Sequence, residues 1–216
     1  MQTKIQLDPK KVQDRPIYFT FKRIFDVLLS CLGLLALSPL LLVVAFLVKF
    51  DGSHGKVLYV QERVGKNGKH FQMFKFRSMI PNADQKLAEL KAQNEVQGAM
   101  FKMKDDPRIT RVGKFIRKYS LDELPQLLNV IGGSMSLVGP RPPIPSEVAE
   151  YTDYDMQRLL VVPGCTGLWQ TTTRNSGDFN TMVDLDLEYI QKSSLLYDLK
   201  LIFNTVKIMV KPNAAY

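Results

Sequence analysis

The densest group of chemistry-bearing side chains is RKYSLDELPQLLNV, residues 117–130, in which Arg117 precedes the adjacent carboxylates Asp122 and Glu123. A carboxylate near a helix start is held ionised by the helix dipole, and in that form it can attack phosphorus or hold a divalent cation. The spacing has a second reading. Ser120 followed three residues later by Glu123 matches a capping box, which needs no chemistry at all. A paired-carboxylate glycosidase is disfavoured, because its two groups face each other across a sugar at roughly 5–10 Å, and neighbours on one helix rarely do so.

Further along, IGGSMSLVGPRPPIP places Arg141 between Pro140 and Pro142, a rigid mount for a guanidinium that binds phosphate through two donors. There is no GxxxxGK[ST] loop, so nucleotide hydrolysis is not indicated. Lys75 and Arg77 share one face of the strand-like stretch FQMFKFRSM, with Phe74 and Phe76 on the other. VPGCTGLWQTTTRN adds Trp169, the sole tryptophan, and Arg174, which suit stacking on a base or sugar as well as ordinary core packing. Cys31, Cys165, His54 and His70 form no metal-ligand spacing and no disulfide framework, which fits a reducing compartment.

These groups need a scaffold, and 216 residues with 45% apolar and 23% charged side chains suffice for one main core. The net charge of +8 is unevenly spread: residues 51–119 carry 15 basic and 7 acidic side chains, residues 120–216 carry 7 and 11. The basic first half implies an anionic partner. Between Asp26 and Lys49 lie 22 uncharged residues, which as a helix would extend roughly 33 Å, enough for a bilayer core. Ser38-Pro39 falls mid-run and predicts a kink or break there. Basic residues flank both ends, so the positive-inside rule gives no orientation; a helix that enters and leaves one leaflet removes the conflict, while a kinked spanning helix is the commoner arrangement.

After this segment VLYVQER and FQMFKFRSM predict two strands joined at Asn67-Gly68, a strong hairpin signal. Residues 82–97 predict an exposed helix. GKFIRKYS and LLYDLKLIFNTVKIMVK are amphipathic and suit helices at a membrane interface.

Taken in order, KRIFDVLLS with Ser38-Pro39, KFRSM, SLDELPQLLNV, SLVGPRP, PGCTGLWQ and YDLK resemble the bacterial sugar transferase family, the monotopic phosphoglycosyl transferases, over about residues 20–210. The resemblance implies an α+β monotopic membrane protein: a basic tail over 1–21, a kinked re-entrant membrane helix over 22–50 broken at Ser38 and Pro39, and a cytoplasmic catalytic domain over 51–216 containing a short β-hairpin and amphipathic interfacial helices. It implies transfer of a hexose 1-phosphate from a UDP-sugar to undecaprenyl phosphate at the inner face of the bacterial cytoplasmic membrane, releasing UMP, with Mg²⁺ as cofactor. This step would initiate exopolysaccharide, capsule or glycoconjugate assembly.

Carried over to matching positions, the resemblance makes Asp122 the nucleophile, Glu123 a metal ligand or proton handler, and Asp122 with Glu123 the metal site. Arg117, Arg141 and Lys75 would offset phosphate charge, Arg174 would bind the nucleotide sugar, and Asp198 of YDLK is a recurrent aspartate with no assigned role. Membrane lipids are implied partners and nucleic acid is not; the oligomeric state stays open, a homodimer included. The hexose also stays open, with glucose or galactose expected. Two departures stand out: Gly133-Ser134 replaces the usual Gly-Asp, and Thr173 precedes Arg174 where glycine is usual. Two other classes compete, a membrane-tethered basic binding module and a metal-dependent lipid-diphosphate phosphatase.

Overall fold

A computed structural model describes residues 4–90, 103, 105–172 and 178–210. After the short helix α1 (Pro9–Gln13), a proline at the first helical position opens α2, which runs from Pro16 to Lys49. At about 1.5 Å per residue α2 extends roughly 50 Å, and it begins within the stretch read as an N-terminal tail. Of the kink or break expected at Ser38-Pro39 the break is absent, since the helical backbone continues through Pro39. Proline has no N–H to offer the carbonyl four residues back, and here the Ser38 hydroxyl donates to that carbonyl, Leu35 O, at 2.8 Å.

Strands β1 (Leu58–Val64) and β2 (His70–Phe76) pair antiparallel, Leu58 opposite Phe76 and Val64 opposite His70. Asn67 and Gly68 both take positive φ in the connecting turn, the conformation that asparagine and glycine tolerate best. Helices α3 (Ala83–Leu90) and α4 (Arg111–Lys118) follow, Thr110 capping α4 by accepting from Gly113 N. The remainder of the predicted helix over 82–97 lies outside the described residues. A Cβ at Gly113 would stand 1.9 Å from Ser78 O, so α4 reaches the end of the hairpin only because that position is glycine.

A 3₁₀ turn (Leu121–Glu123) and α5 (Gln126–Gly132) lead into β3 (Ser136–Val138). Then come α6 (Pro145–Val148), α7 (Asp153–Met156), β4 (Gly164–Thr166), α8 (Leu168–Thr172), α9 (Phe179–Lys192) and α10 (Leu195–Val210). β3 and β4 pair in parallel.

Three apolar clusters join these elements. Val138, Leu168, Val183, Leu187 and Leu201 unite β3 with α8, α9 and α10. Met73, Val130 and Met135 set β2 against α5. Val44 and Val48 of α2 pack on Phe76 and Ile116.

Both ends of α2 are thus held by one body. Toward its start, Tyr18 and Lys22 donate to Asp198 Oδ2 at 2.9 Å each, and Asp26 accepts from Ser136 Oγ at 2.7 Å and Leu137 N at 3.1 Å. At its far end Arg77 donates to Val48 O at 2.7 Å and Lys56 O at 2.6 Å, and also contacts Asp51 and Ser53, placing a cation at the helix C-terminus. Between these anchors the helix is bare. Only 11% of its most apolar window is buried, with Leu32, Leu35, Leu42 and Phe46 each more than 60% exposed. A core helix of a water-soluble domain would be covered, so this surface is suited to lipid.

Removing the Arg77 side chain leaves Val48 O buried without its donor and Asp51 without its cation. Arg77→Ala is expected to cost about 3 kcal/mol, a drop of roughly 6–12 °C in the thermal midpoint of the detergent-solubilised protein. Arg77→Lys should recover part of it.

Candidate active site

Asp122 and Glu123 sit in the 3₁₀ turn between α4 and α5, not in the first turn of a regular helix. Ser120 enters that turn with φ 54° and ψ 24°, and its side chain does not cap it, so the capping-box reading fails. The left-handed residue turns the chain sharply between two elements packed on the hairpin, and Glu123 reaches Lys75 of β2. Asp122 is 8% exposed, whereas Glu123 is more open and pairs with Lys75 Nζ at 3.0 Å.

Asn129 holds Lys75 in register with Glu123. Its amide accepts from Phe74 N at 2.9 Å and donates to Gln72 O at 2.6 Å, so one buried side chain of α5 grips the backbone of β2 beside Lys75. Sequence reasoning passed over it, since an asparagine in an apolar helix carries no chemical signature. Ser134 lies next to Asn129: its hydroxyl contacts the Asn129 amide at 3.2 Å and the Asn129 carbonyl at 3.3 Å.

Arg141 is mounted as firmly as its prolines suggest, but backbone hydrogen bonds do most of the mounting. Pro140 O accepts from Gly164 N, Arg141 O from Arg158, Pro142 O from Arg63 at 2.7 Å, and Pro143 O from Val64 N. A Cβ at Gly139 would lie 2.7 Å from Val162 O, so this close approach also needs glycine. One Arg141 nitrogen stands 3.6 Å from Glu147 and, among the described residues, is buried with no hydrogen-bond partner.

Arg63 was not singled out from the sequence, although it is 6% exposed. Burial and the adjacent Arg141 guanidinium push its pKa down to about 9. Two neighbouring guanidiniums that repel each other, one with spare donor capacity, favour an anionic ligand between or beside them. Arg158 is fully consumed by structure: it pairs with buried Asp186 at 2.6 Å and bonds Tyr151 Oη at 2.6 Å.

Arg117 occupies the last turn of α4, partly exposed, one turn ahead of the carboxylates. Arg174 lies outside the described residues. Asp198 is 5% exposed and accepts from Tyr18, Lys22 and Tyr189, so its visible work is to tie α2 and α9 to α10. Trp169 is buried between core elements, the commoner of its two readings. Among the described residues no cluster of three or more His, Cys, Asp and Glu side chains is arranged for a metal.

A cavity of about 200 Å³ opens beside the carboxylates, lined by Ser120 and Glu123 at one end and by α5, α8 and α10 elsewhere. The arrangement therefore combines a nearly buried carboxylate, a second carboxylate paired with a lysine, an arginine pair and an apolar cavity, all next to a lipid-suited helix. Those parts suit reaction at a phosphate group carried by a lipid.

Comparison with known proteins agrees with this chemistry. The chain is 45% identical over 199 residues to the undecaprenyl-phosphate galactose phosphotransferase of Salmonella typhimurium, covering 90% of this chain and 41% of that protein. It is 45% identical over 206 residues to the exopolysaccharide production protein ExoY of Sinorhizobium fredii, covering 94% and 91%. It is also 43% identical over 198 residues to the undecaprenyl-phosphate glucose phosphotransferase of Komagataeibacter xylinus, covering 86% and 35%. The chain thus spans well under half the length of two of these relatives and nearly all of the third. Residues 17–212 match the family described as bacterial sugar transferase, and the chain belongs to that family.

Proposed function

We propose that the protein transfers a hexose 1-phosphate from a UDP-sugar to undecaprenyl phosphate, releasing UMP, as the first membrane step of exopolysaccharide, capsule or glycoconjugate assembly. The observation that carries this reading is the nearly buried Asp122 next to the Lys75–Glu123 pair, at a cavity whose walls are apolar. The family relatives named as undecaprenyl-phosphate sugar phosphotransferases support it.

In the proposed reaction an Asp122 oxygen attacks the phosphorus that bears the sugar. The bond from that phosphorus to the UMP oxygen breaks, UMP leaves, and an aspartyl phosphosugar remains. An oxygen of the lipid phosphate then attacks the same phosphorus, displacing Asp122 and regenerating its carboxylate. Kinetics of the ping-pong type follow. Arg117, Arg141 and Lys75 offset phosphate charge, Arg63 assists by holding the Arg141 loop, and Arg174 is assigned to the nucleotide sugar. Lys75 pairs with Glu123 and orients it.

Mg²⁺, when bound, would neutralise charge on the phosphates and the departing UMP. Asp122 and Glu123 are the residues that would hold it. Two carboxylates suit this ion, which takes few protein ligands and fills its remaining positions with water and phosphate oxygens.

The membrane arrangement proposed is monotopic, with the catalytic body on the cytoplasmic face of the inner membrane. Its support is mechanical: Ser136 and Asp198 hold one end of α2 and Phe76 and Ile116 hold the other, within one packed body. A helix crossing the bilayer would leave these partners on opposite sides. The re-entrant course is assigned to the Ser38-Pro39 region, where the Leu35 carbonyl already relies on a side chain.

Purified protein supplied with Mg²⁺, undecaprenyl phosphate and a panel of UDP-hexoses should form UMP with one or a few of them. Asp122→Asn should reduce this at least roughly a thousandfold. UDP as the product would instead indicate glycosyl transfer, and lipid-independent inorganic phosphate would indicate a phosphatase. Lys75→Ala should lower kcat by roughly tenfold to a hundredfold. Its thermal midpoint should barely move, since a partly exposed pair contributes only about 0–1 kcal/mol.

A further inference from the structure

The cavity beside Glu123 has a composition unlike that of a nucleotide-sugar site. Beyond Ser120 and Glu123 its walls include Leu124 at the end of the 3₁₀ turn, Leu127 of α5, Leu137 of β3, and Ile202, Val206, Ile208 and Met209 of α10. Its threonine hydroxyls are satisfied internally, Thr171 donating to Gly167 O and Leu168 O, while Gln170 Oε1 is buried with no hydrogen-bond partner among the described residues. Thr166 and Thr205 hydrogen bond to each other at 2.7 Å, and Thr205 also donates to Leu201 O at 2.8 Å. The Cys165 thiol, another wall, has its pKa pushed up by burial and stays neutral. What remains is a mostly apolar surface with one polar spot at Gln170 and one charged side chain, Glu123.

The far end meets the apolar exterior. Val206 is 52% exposed, and its neighbours on α10, Phe203 and Val210, are about 70% exposed. Leu137 and Ile202 also line a second, smaller hollow whose other wall is α2, where Phe25 and Leu29 stand beside the charged Lys22 and Asp26, so an apolar edge runs from α10 to the lipid-suited helix. A chain entering from the membrane along α10 would therefore end with its head at Glu123.

We propose that this cavity seats the first isoprene units of the acceptor's polyprenyl chain, bringing the lipid phosphate to Asp122 and Glu123. The proposal rests on the transfer reading above and goes beyond it by assigning the lipid a place. Of the two substrates, the UDP-sugar is polar throughout and gains nothing from these walls, whereas the acceptor is a single branched hydrocarbon chain ending in phosphate. A two-chained phospholipid fits less well: a cavity of about 200 Å³ has room for one short stretch of chain, and Glu123 at its wall, paired with Lys75, suits a terminal phosphate with its metal rather than a glycerol diester.

Photolabelling of the full-length protein in lipid nanodiscs with a diazirine-bearing geranyl phosphate tests this directly, and it reads binding without turnover. Label is expected within residues 165–171 and 202–209, displaced by undecaprenyl phosphate and not by phosphatidylglycerol. Label confined to the exposed face of α2, or displaced equally by phosphatidylglycerol, would overturn the assignment. In kinetics, Val206→Trp should raise KM for undecaprenyl phosphate roughly tenfold or more by occupying the cavity mouth. Its lipid-independent burst of UMP from the UDP-sugar should be unchanged. An unaltered lipid KM in that variant, with the label undisturbed, would count against the cavity. Absence of UMP from the wild-type protein would sink the transfer reading instead, whatever the label shows.

Discussion

An apolar helix some 50 Å long must be fastened to a charged catalytic body without being covered by it. The protein does this with polar contacts at the ends and apolar contacts beside them. Asp26 and Asp198 take donors from β3, α9 and α2 itself, and Arg77 donates to Val48 O near the end of α2. Each of these charges is nearly buried, so losing one partner leaves a desolvated group behind, which is far costlier than losing an exposed ion pair. The middle of the helix stays bare as a result.

The catalytic geometry hangs on the same anchors. Ser136, which binds Asp26, begins the strand that leads into Pro140, Arg141 and Pro142, and β4 beside it supplies the N–H that Pro140 accepts. From the other side Arg63 of β1 clamps Pro142, and Asn129 ties β2 to α5 next to Lys75. The carboxylates, the lysine and the arginine pair therefore come from four different stretches of chain, fixed to one another mainly through backbone hydrogen bonds. Such sites are preorganised by structure that has no chemical role of its own.

Much of this could be read in the residues. The apolar run, the Asn67-Gly68 turn and the amphipathic period of α10 follow from local pattern, which secondary structure reports faithfully. Asp122 and Glu123 were visible as a pair, but the spacing pointed to a regular helix start where the chain forms a 3₁₀ turn, because the left-handed conformation of Ser120 is imposed by packing on both sides and not by its type. Arg63, Asn129 and Asp26 were illegible for a related reason. Their partners lie 79, 55 and 110 residues away, and a side chain that serves a remote carbonyl or amide leaves no periodic mark. Asp198 was noticed for the opposite reason, as part of a motif whose structural purpose only the folded contacts explain.

The distance along the chain between α2 and its partners has a bearing on how the protein is made. Lys22 and Asp198 are 176 residues apart. At about 5–20 residues per second of synthesis, roughly 9–35 seconds separate the emergence of the helix from that of the carboxylate that secures it. For all of this interval Lys22 lacks its carboxylate, and Arg23 and Asp26 wait for partners 107–111 residues on, while the apolar stretch beyond them is complete. A helix so exposed and so early is suited to be taken up by lipid first, with the rest of the body folding against it afterwards.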